Sequence, residues 1–239
     1  MNTNSTFIAQ QKQIQLTQLG SRGQLVWEAK LGNNRIIVLR YTTSNGSNES
    51  FIVEILKDQN TKLLVLPGSA SVLKSKSRLT LDHYGLKEKG VSGFIKSQVT
   101  GESFVMTEVK GEGTVRLTPN SDCPGIKQFQ NTKLFIPNTN VAYVQSLLGD
   151  FEIHTAQKVK SDMPIAFSEI LLKSALVLFE TDNFYEVEIE ADHFVDVEAN
   201  EIVFWTGDLI YDDARDSSNG EGSLVRFSGM GKVYLSLSV

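Results

Sequence analysis

Two Gly-centred stretches organise this chain of 239 residues: GESFVMTEVKGEGTVRLT at residues 101–118 and GSLVRFSGMGKVYLSLS at residues 222–238. Each contains a short apolar segment, a Gly-x-Gly triplet and a second segment in which apolar and polar residues alternate. Alternation with a period of two is typical of β-strands, and glycine adopts the positive φ that tight hairpins need. The pattern therefore predicts two closing β-hairpins, whose turn residues are Gly111, Gly113, Gly229 and Gly231.

Three further segments share one plan, at residues 62–73, 133–144 and 193–205: an apolar strand, a break and another apolar strand. Glycine and asparagine are the residue types that adopt positive φ most easily, and one of them occupies each break. The predicted turn residues at the breaks are Gly68, Asn138 and Asn200. A lead strand before each segment and a closing hairpin after it would complete three copies of one unit.

This internal repeat predicts an N-terminal extension with a hairpin over residues 1–49 and three β modules at 50–120, 121–182 and 183–239. The fold expected is all-β, with antiparallel β-sandwich or β-roll modules in a pseudo-threefold arrangement. A module of about 60 residues is marginal alone, so the three should share a core or pack side by side.

Two segments test this interpretation. Gly32-Asn33-Asn34 lies between two apolar runs and predicts the hairpin of the N-terminal extension. Residues 165–179, IAFSEILLKSALVLF, should form the second closing hairpin but have lost the Gly-x-Gly triplet. Their apolar spacing also suits a helix, with Asp162 as its cap and Pro164 in its first turn. The repeat favours two strands.

Composition narrows the function classes. The net charge is −5, with one Cys and three His. The acidic balance argues against a nucleic-acid partner, and a single Cys fits a reducing compartment. No apolar run approaches the 18 or so residues of a membrane span. The N-terminal residues do not resemble a signal peptide or an Arg-rich presequence, so we expect a cytoplasmic protein.

Few residues are candidates for chemistry. His83 and His154 lie near equivalent ends of two predicted modules and, with His193, are weak candidates for a metal site. No pair of these has the spacing of zinc ligands, so locally hydrogen-bonded or surface histidines are favoured. The two Gly-x-Gly triplets are followed by strands, whereas phosphate loops lead into helices. No metal or other cofactor is therefore expected.

The other polar candidates are better explained by structural roles than by binding or catalysis. An acidic run lacks the spacing of an EF-hand loop and suits a solvated turn; its members are Asp208, Asp212, Asp213, Asp216 and Glu221. Cys123 has no basic neighbour to activate it, and Ser103 leads into a strand rather than a nucleophile elbow. Phe204 and Trp205 suit a core, although exposed aromatic residues there would indicate a partner surface.

The chain resembles the altered-inheritance-of-mitochondria (AIM-type) family over residues 50–239. The likeness is carried by 101–107 and by the following residues: Gly111, Gly113, Val115, Leu117, Pro124, Gly125, Ile126, Gly222, Val225, Arg226, Phe227, Gly229, Gly231, Val233 and Leu235. The resemblance implies a fold like that of the tryptophan RNA-binding attenuation protein (TRAP-like), with tandem modules in an oligomer. It supplies no catalytic residues. Fungal members are mitochondrial, but the N-terminal residues here do not resemble a presequence, so we do not expect that location to carry over. The sequence also has no Lys/Arg pattern for RNA.

Two hypotheses of function remain. The first is a non-enzymatic scaffold or binding module that acts as a homo-oligomer, a trimer or larger, with an unidentified protein partner. The second is a small-molecule or metal-binding protein with its site in the mouth of a β-roll or between modules. The absence of a catalytic constellation favours a protein that is not an enzyme.

Overall fold

The computed structural model describes residues 13–15, 22–42, 49–75, 79–84, 106–119, 124–154, 167–214 and 224–236. These residues form sixteen β-strands and one short 3₁₀ helix, Asn138–Tyr143. The strands are β1 Gln13–Gln15, β2 Arg22–Leu31, β3 Asn34–Thr42, β4 Glu49–Lys57, β5 Lys62–Val65, β6 Ala70–Lys74, β7 Thr80–His83, β8 Thr107–Lys110, β9 Gly113–Leu117, β10 Gly125–Pro137, β11 Val144–His154, β12 Phe167–Phe179, β13 Phe184–Ile189, β14 Phe194–Glu198, β15 Ile202–Asp213 and β16 Leu224–Ser236. The predicted all-β fold is confirmed.

The strands form two antiparallel sheets. The six-stranded sheet has the order β1-β2-β3-β4-β9-β6, and the ten-stranded sheet has the order β13-β16-β15-β10-β12-β11-β5-β8-β7, with β14 also paired to β16. Strands β2 and β3 form the predicted N-terminal hairpin, with Gly32 at φ +59° in its turn. The ten-stranded sheet takes strands from all three predicted modules.

An apolar core joins the two sheets. Side chains of β3 and β4, such as Val38 and Val53, pack with Leu63 of β5 and with Leu176 and Leu178 of β12. All five are fully buried. Because burial of one such side chain is worth about 1.5–3 kcal/mol, this interface is a major stabilising element of the fold.

The segment 165–179 forms neither the predicted hairpin nor a helix; its described part is the single strand β12. This strand lies between β10 and β11 in the ten-stranded sheet. Leu176 and Leu178 enter the core between the sheets, whereas Ala175 and Val177 belong to a second core. Because both faces of the strand are buried, its sequence lacks the apolar-polar alternation of a half-buried strand.

The Gly-x-Gly triplet at 111–113 is a crossing between sheets, not the turn of a hairpin. Strand β8 pairs with β5 and β7 in the ten-stranded sheet, whereas β9 pairs with β4 and β6 in the six-stranded sheet. Gly111 has a φ of +100°, which a residue with a Cβ atom rarely adopts. The chain changes direction here in order to change sheets.

The triplet at 229–231 is likewise not a hairpin turn, because it lies inside the continuous strand β16. On one side β16 pairs with β14 and then with β13, and on the other it pairs with β15 along its length. Gly229 has a φ of +106°, and Gly231 lies opposite Gly207 of β15. These glycines let the two strands coil, so that β13 to β16 close around a core that Phe135 of β10 and Phe167 of β12 also join. We call β13 to β16 the C-terminal roll.

The three predicted break residues do not share one backbone conformation. Gly68 lies in the turn between β5 and β6 with a φ of +80°. Asn138 begins the 3₁₀ helix and Asn200 lies in the turn after β14, and neither has a positive φ. The expectation of a common positive φ is therefore wrong for the two asparagines. The pseudo-threefold arrangement and the module boundaries stay predictions.

Candidate functional site

The histidine candidates are not brought together. His83 is in β7 at one end of the ten-stranded sheet, and His154 ends β11, with β5 and β8 between them. His154 and His193 are both exposed. Within the described ranges, no group of three or more His, Cys, Asp or Glu side chains could hold a metal ion.

The acidic run is only partly described. Asp208 and Asp212 are exposed on β15, a strand rather than the expected turn, and Asp213 ends that strand. The positions of Asp216, Glu221, Cys123 and Ser103 lie outside the described residues.

The C-terminal roll contains a cluster of aromatic side chains. Trp205 is buried and stacks on Phe135 with ring centroids 5.4 Å apart. Phe167 meets Trp205 edge-on at 5.2 Å, and Tyr211 contacts Phe167 at 5.1 Å. Such pairs add about 0.5–1.5 kcal/mol each to the effect of burial. Trp205 therefore has the core role expected for it, and burial also raises the pKa of Tyr211 to about 12.

The outer face of the same roll carries exposed apolar side chains: Phe194, Ile210 and Met230 are 62%, 67% and 65% exposed. Phe194 of β14 and Ile210 of β15 both lie opposite Ser228 of β16, so the three share one face. Met230 is two residues further along β16, opposite Asp208. We call Phe194, Ile210 and Met230 the outer patch. Neighbouring exposed apolar side chains of this size are typical of interaction surfaces.

The rim of the outer patch is polar and held in place. The guanidinium group of Arg226 donates two hydrogen bonds of 2.7 Å to the Asp196 carboxylate. Its central carbon also lies 4.4 Å from the centroid of the Phe194 ring. A bidentate pair that stacks on an aromatic ring restricts the rotamers of all three side chains. The patch is therefore an ordered apolar surface with a charged rim.

A second candidate site lies at one end of the six-stranded sheet, where two clefts adjoin. The larger has a volume of about 620 Å³ and is lined by Lys57, Lys74, Glu112 and Thr114, among others. We call it the Lys57 cleft. The smaller, of about 480 Å³, reaches the ten-stranded sheet at Asp150. Asn33 and Asp58 line both clefts.

A polar network fixes the wall that the clefts share. Asp58 accepts hydrogen bonds from the backbone N–H groups of Asn60 and Thr61, at 3.0 and 2.8 Å. The buried Asn34 side chain donates to the Asp58 carboxylate at 3.2 Å and accepts from the Asp58 N–H at 2.8 Å. A hydrogen bond with the Thr61 side chain is the main reason that the pKa of Asp58 is lowered. The carboxylate is thus satisfied by neutral donors.

Lys57 is the unusual member of this site. It is only 4% exposed, and its Nζ donates to the backbone carbonyl oxygens of Gly111, at 2.5 Å, and Asp58, at 3.0 Å. Burial lowers the pKa of Lys57 from the ordinary 10.5. Lys57 therefore ties the end of β4 to the crossing between the sheets, and it places a buried ammonium group in the wall of a cleft.

Sequence reasoning missed this site, although two signals were present. Phe51, Val53 and Ile55 are buried on one face of β4, and Lys57 continues the same period of two. A lysine in phase with a core face is a candidate functional residue. The second signal is Asp58-x-Asn60-Thr61, which is typical of a turn that an Asp side chain caps.

The fold and these two surfaces define an all-β protein of two antiparallel sheets, with a C-terminal roll that presents an apolar patch and a polar cleft at the sheet junction. The chain belongs to the family described as "Mitochondrial biogenesis AIM24", which matches residues 42–236. The suspected resemblance is therefore confirmed.

A solved structure shares the fold. The X-ray crystal structure of protein SPYM3_0169 from Streptococcus pyogenes is similar with a TM-score of 0.61 and 17% identity, covering 86% of this chain and 94% of that one. At this identity the likeness concerns the fold alone. No curated protein matches the sequence significantly. Among the described residues, there is no helix with the length and apolar character needed to cross a membrane.

Proposed function

We propose that this protein is a non-enzymatic assembly module that forms homo-oligomers through the outer patch. The observation that carries the proposal is the exposure of Phe194, Ile210 and Met230 side by side on one ordered sheet face. Solvation of this surface is unfavourable, and covering it in a contact between subunits would remove the apolar side chains from water.

A second copy of the chain is the occupant that the surroundings favour. The rim pair of Arg226 and Asp196 carries both charges and is internally neutralised, so it would not repel an identical rim. The outer edge of β14 also makes no strand pair among the described residues. A patch with a free edge beside it offers a subunit both apolar contact and backbone hydrogen bonds.

The test is the mass of the purified full-length protein in solution, measured by light scattering after size-exclusion chromatography. The wild-type protein should be a homo-oligomer, and the double variant Ile210→Lys/Met230→Lys should dissociate, because two ammonium groups cannot be buried between subunits. Leu81→Lys is the matched control, since Leu81 is also exposed but lies on β7 at the other end of the ten-stranded sheet.

A wild-type protein that is monomeric at tens of micromolar would contradict the proposal, as would a double variant that keeps the wild-type mass. Oligomer loss in both the patch variant and the Leu81 variant would place the contact elsewhere. The subunit number of three or more, an unidentified protein partner and a cytoplasmic location stay predictions from the sequence.

A further inference from the structure

The Lys57 ammonium group forms no direct ion pair in the described part of the chain, although the carboxylates of Asp58, Glu108 and Glu112 attract it from further away. No carboxylate oxygen there lies within ion-pair distance of its Nζ, whose two hydrogen-bond acceptors are neutral carbonyl oxygens. The nearest acidic residue in sequence, Asp58, directs its carboxylate to Asn34 and to the turn that follows it. Burying an ammonium group without a carboxylate in contact with it is costly, and a methionine of similar length would avoid the cost.

The cleft beside Lys57 is suited to a small ligand. Its volume of about 620 Å³ falls in the range of about 300–1,000 Å³ that metabolite sites occupy. Register places further groups at its wall: Thr114 of β9 lies opposite Leu56 of β4 on one side and opposite Lys74 of β6 on the other. Lys74 is exposed and adds a second positive charge, whereas Glu112 and Asp58 each add a negative one.

We propose that this cleft binds a small organic anion, a carboxylate or a phosphate ester, with the Lys57 ammonium group as its charge partner. Lys74 supplies a second cation at the rim, and the Thr114 hydroxyl and the Asn33 amide are polar groups of the same wall. The lowered pKa of Lys57 reflects its burial, and an anion seated beside it would raise that pKa again. This binding site is separate from the outer patch, which lies on the C-terminal roll.

Inorganic phosphate and succinate serve as probes, each titrated into the full-length protein by calorimetry, with sodium chloride at matched ionic strength as the blank. At least one probe should bind saturably, and which of them binds separates the phosphate from the carboxylate class. Lys57→Met should weaken binding by about tenfold or more, because it removes a charge-assisted hydrogen bond. Lys133→Met, on the exposed face of β10, should leave the affinity unchanged.

Two exposed variants decide the matter even if Lys57→Met fails to fold. Lys74→Glu should weaken binding of the probe, and Glu112→Gln should tighten it, because the first adds and the second removes a negative charge beside the bound anion. Raising the pH should release the probe below the pH at which an ordinary lysine titrates. The proposal is overturned if neither probe binds saturably, or if Lys74→Glu and Glu112→Gln both leave the affinity unchanged.

Discussion

Gly231 does not have the positive φ that favours glycine. Glycine is needed there because the backbone of the neighbouring strand leaves no room for a side chain. A Cβ atom built there would overlap the carbonyl oxygen of Thr206 and lie 2.8 Å from Cγ of Leu209. Both neighbours belong to β15, the strand around which β16 coils. The Gly231→Ala substitution should therefore push the two strands of the C-terminal roll apart.

Gly68 is the matched control, because its surroundings leave room for a side chain but its backbone conformation favours glycine. It has a φ of +80°, and no atom lies within 4 Å of the place that a Cβ atom would take, so Gly68→Ala costs only the left-handed conformation, about 1–2 kcal/mol. Overpacking costs about 1–3 kcal/mol. Because the overlap at Gly231 is with backbone, we place Gly231→Ala at the upper end of that range, about 3 kcal/mol.

Urea unfolding followed by tryptophan fluorescence measures both free energies of unfolding. Asparagine then separates the two causes: Gly68→Asn should cost less than Gly68→Ala, because asparagine tolerates positive φ, whereas Gly231→Asn should cost at least as much as Gly231→Ala. The reasoning is refuted if Gly231→Ala is the milder of the two alanine variants, or if asparagine partly restores stability at position 231.

Three further predictions concern single side chains. Because the pKa of Tyr211 is raised from 10.0 to about 12, the stability that it contributes is present below pH 10 and is lost as the pH rises towards 12. In urea melts, the free energy of unfolding of wild type should therefore fall relative to that of Tyr211→Phe between these pH values, and parallel pH profiles of the two proteins would contradict the assignment. Because the pKa of Asp58 is lowered below 3.8, wild type should be more stable than Asp58→Asn at neutral pH, and this advantage should shrink as the pH falls below about 4. An advantage that does not depend on pH would show that the ionised Asp58 carboxylate is not what stabilises the turn. Phe204→Ala should cost about 3–5 kcal/mol, since Phe204 is fully buried and stacked on Phe179 at 4.6 Å; a loss below about 1 kcal/mol in the same melts would show that its stack is dispensable.

The class of fold was readable from the sequence because strand alternation is a local property. In β13, for example, charged and apolar residues alternate, and the structure pairs that strand along one edge of β16. The Gly32 turn was readable for the same reason: two apolar runs flank it directly, and they pair with each other.

The structural roles of the two Gly-x-Gly triplets could not be predicted from the sequence. Gly111 and Gly229 both have positive φ, and strand residues precede both, yet one directs the chain into another sheet and the other coils a strand that continues. The difference depends on strand partners distant in sequence, such as β5 for β8. Local propensity holds no information about such partners. Strand β12 was ambiguous because burial on both faces removes alternation.

The candidate sites were hidden for a related reason. The Lys57 cleft combines residues from the ends of β4 and β6 with Glu112 of the crossing, three segments that only the sheet topology brings together. The outer patch likewise needs the register of Phe194, Ser228 and Ile210 across three strands. In the sequence, each of these residues alone is indistinguishable from any other strand residue.

The position of β16 in the C-terminal roll has a consequence for synthesis on the ribosome. Strands β13 and β14 pair with β16 and with no other described strand, so both leave the exit tunnel before their hydrogen-bonding partner does. Until residues 224–236 emerge, Trp205 and its aromatic neighbours lack the strand that covers them. A nascent chain stalled before that point should hold this region open to chaperones and proteases, and the emergence of β16 should close it in one step.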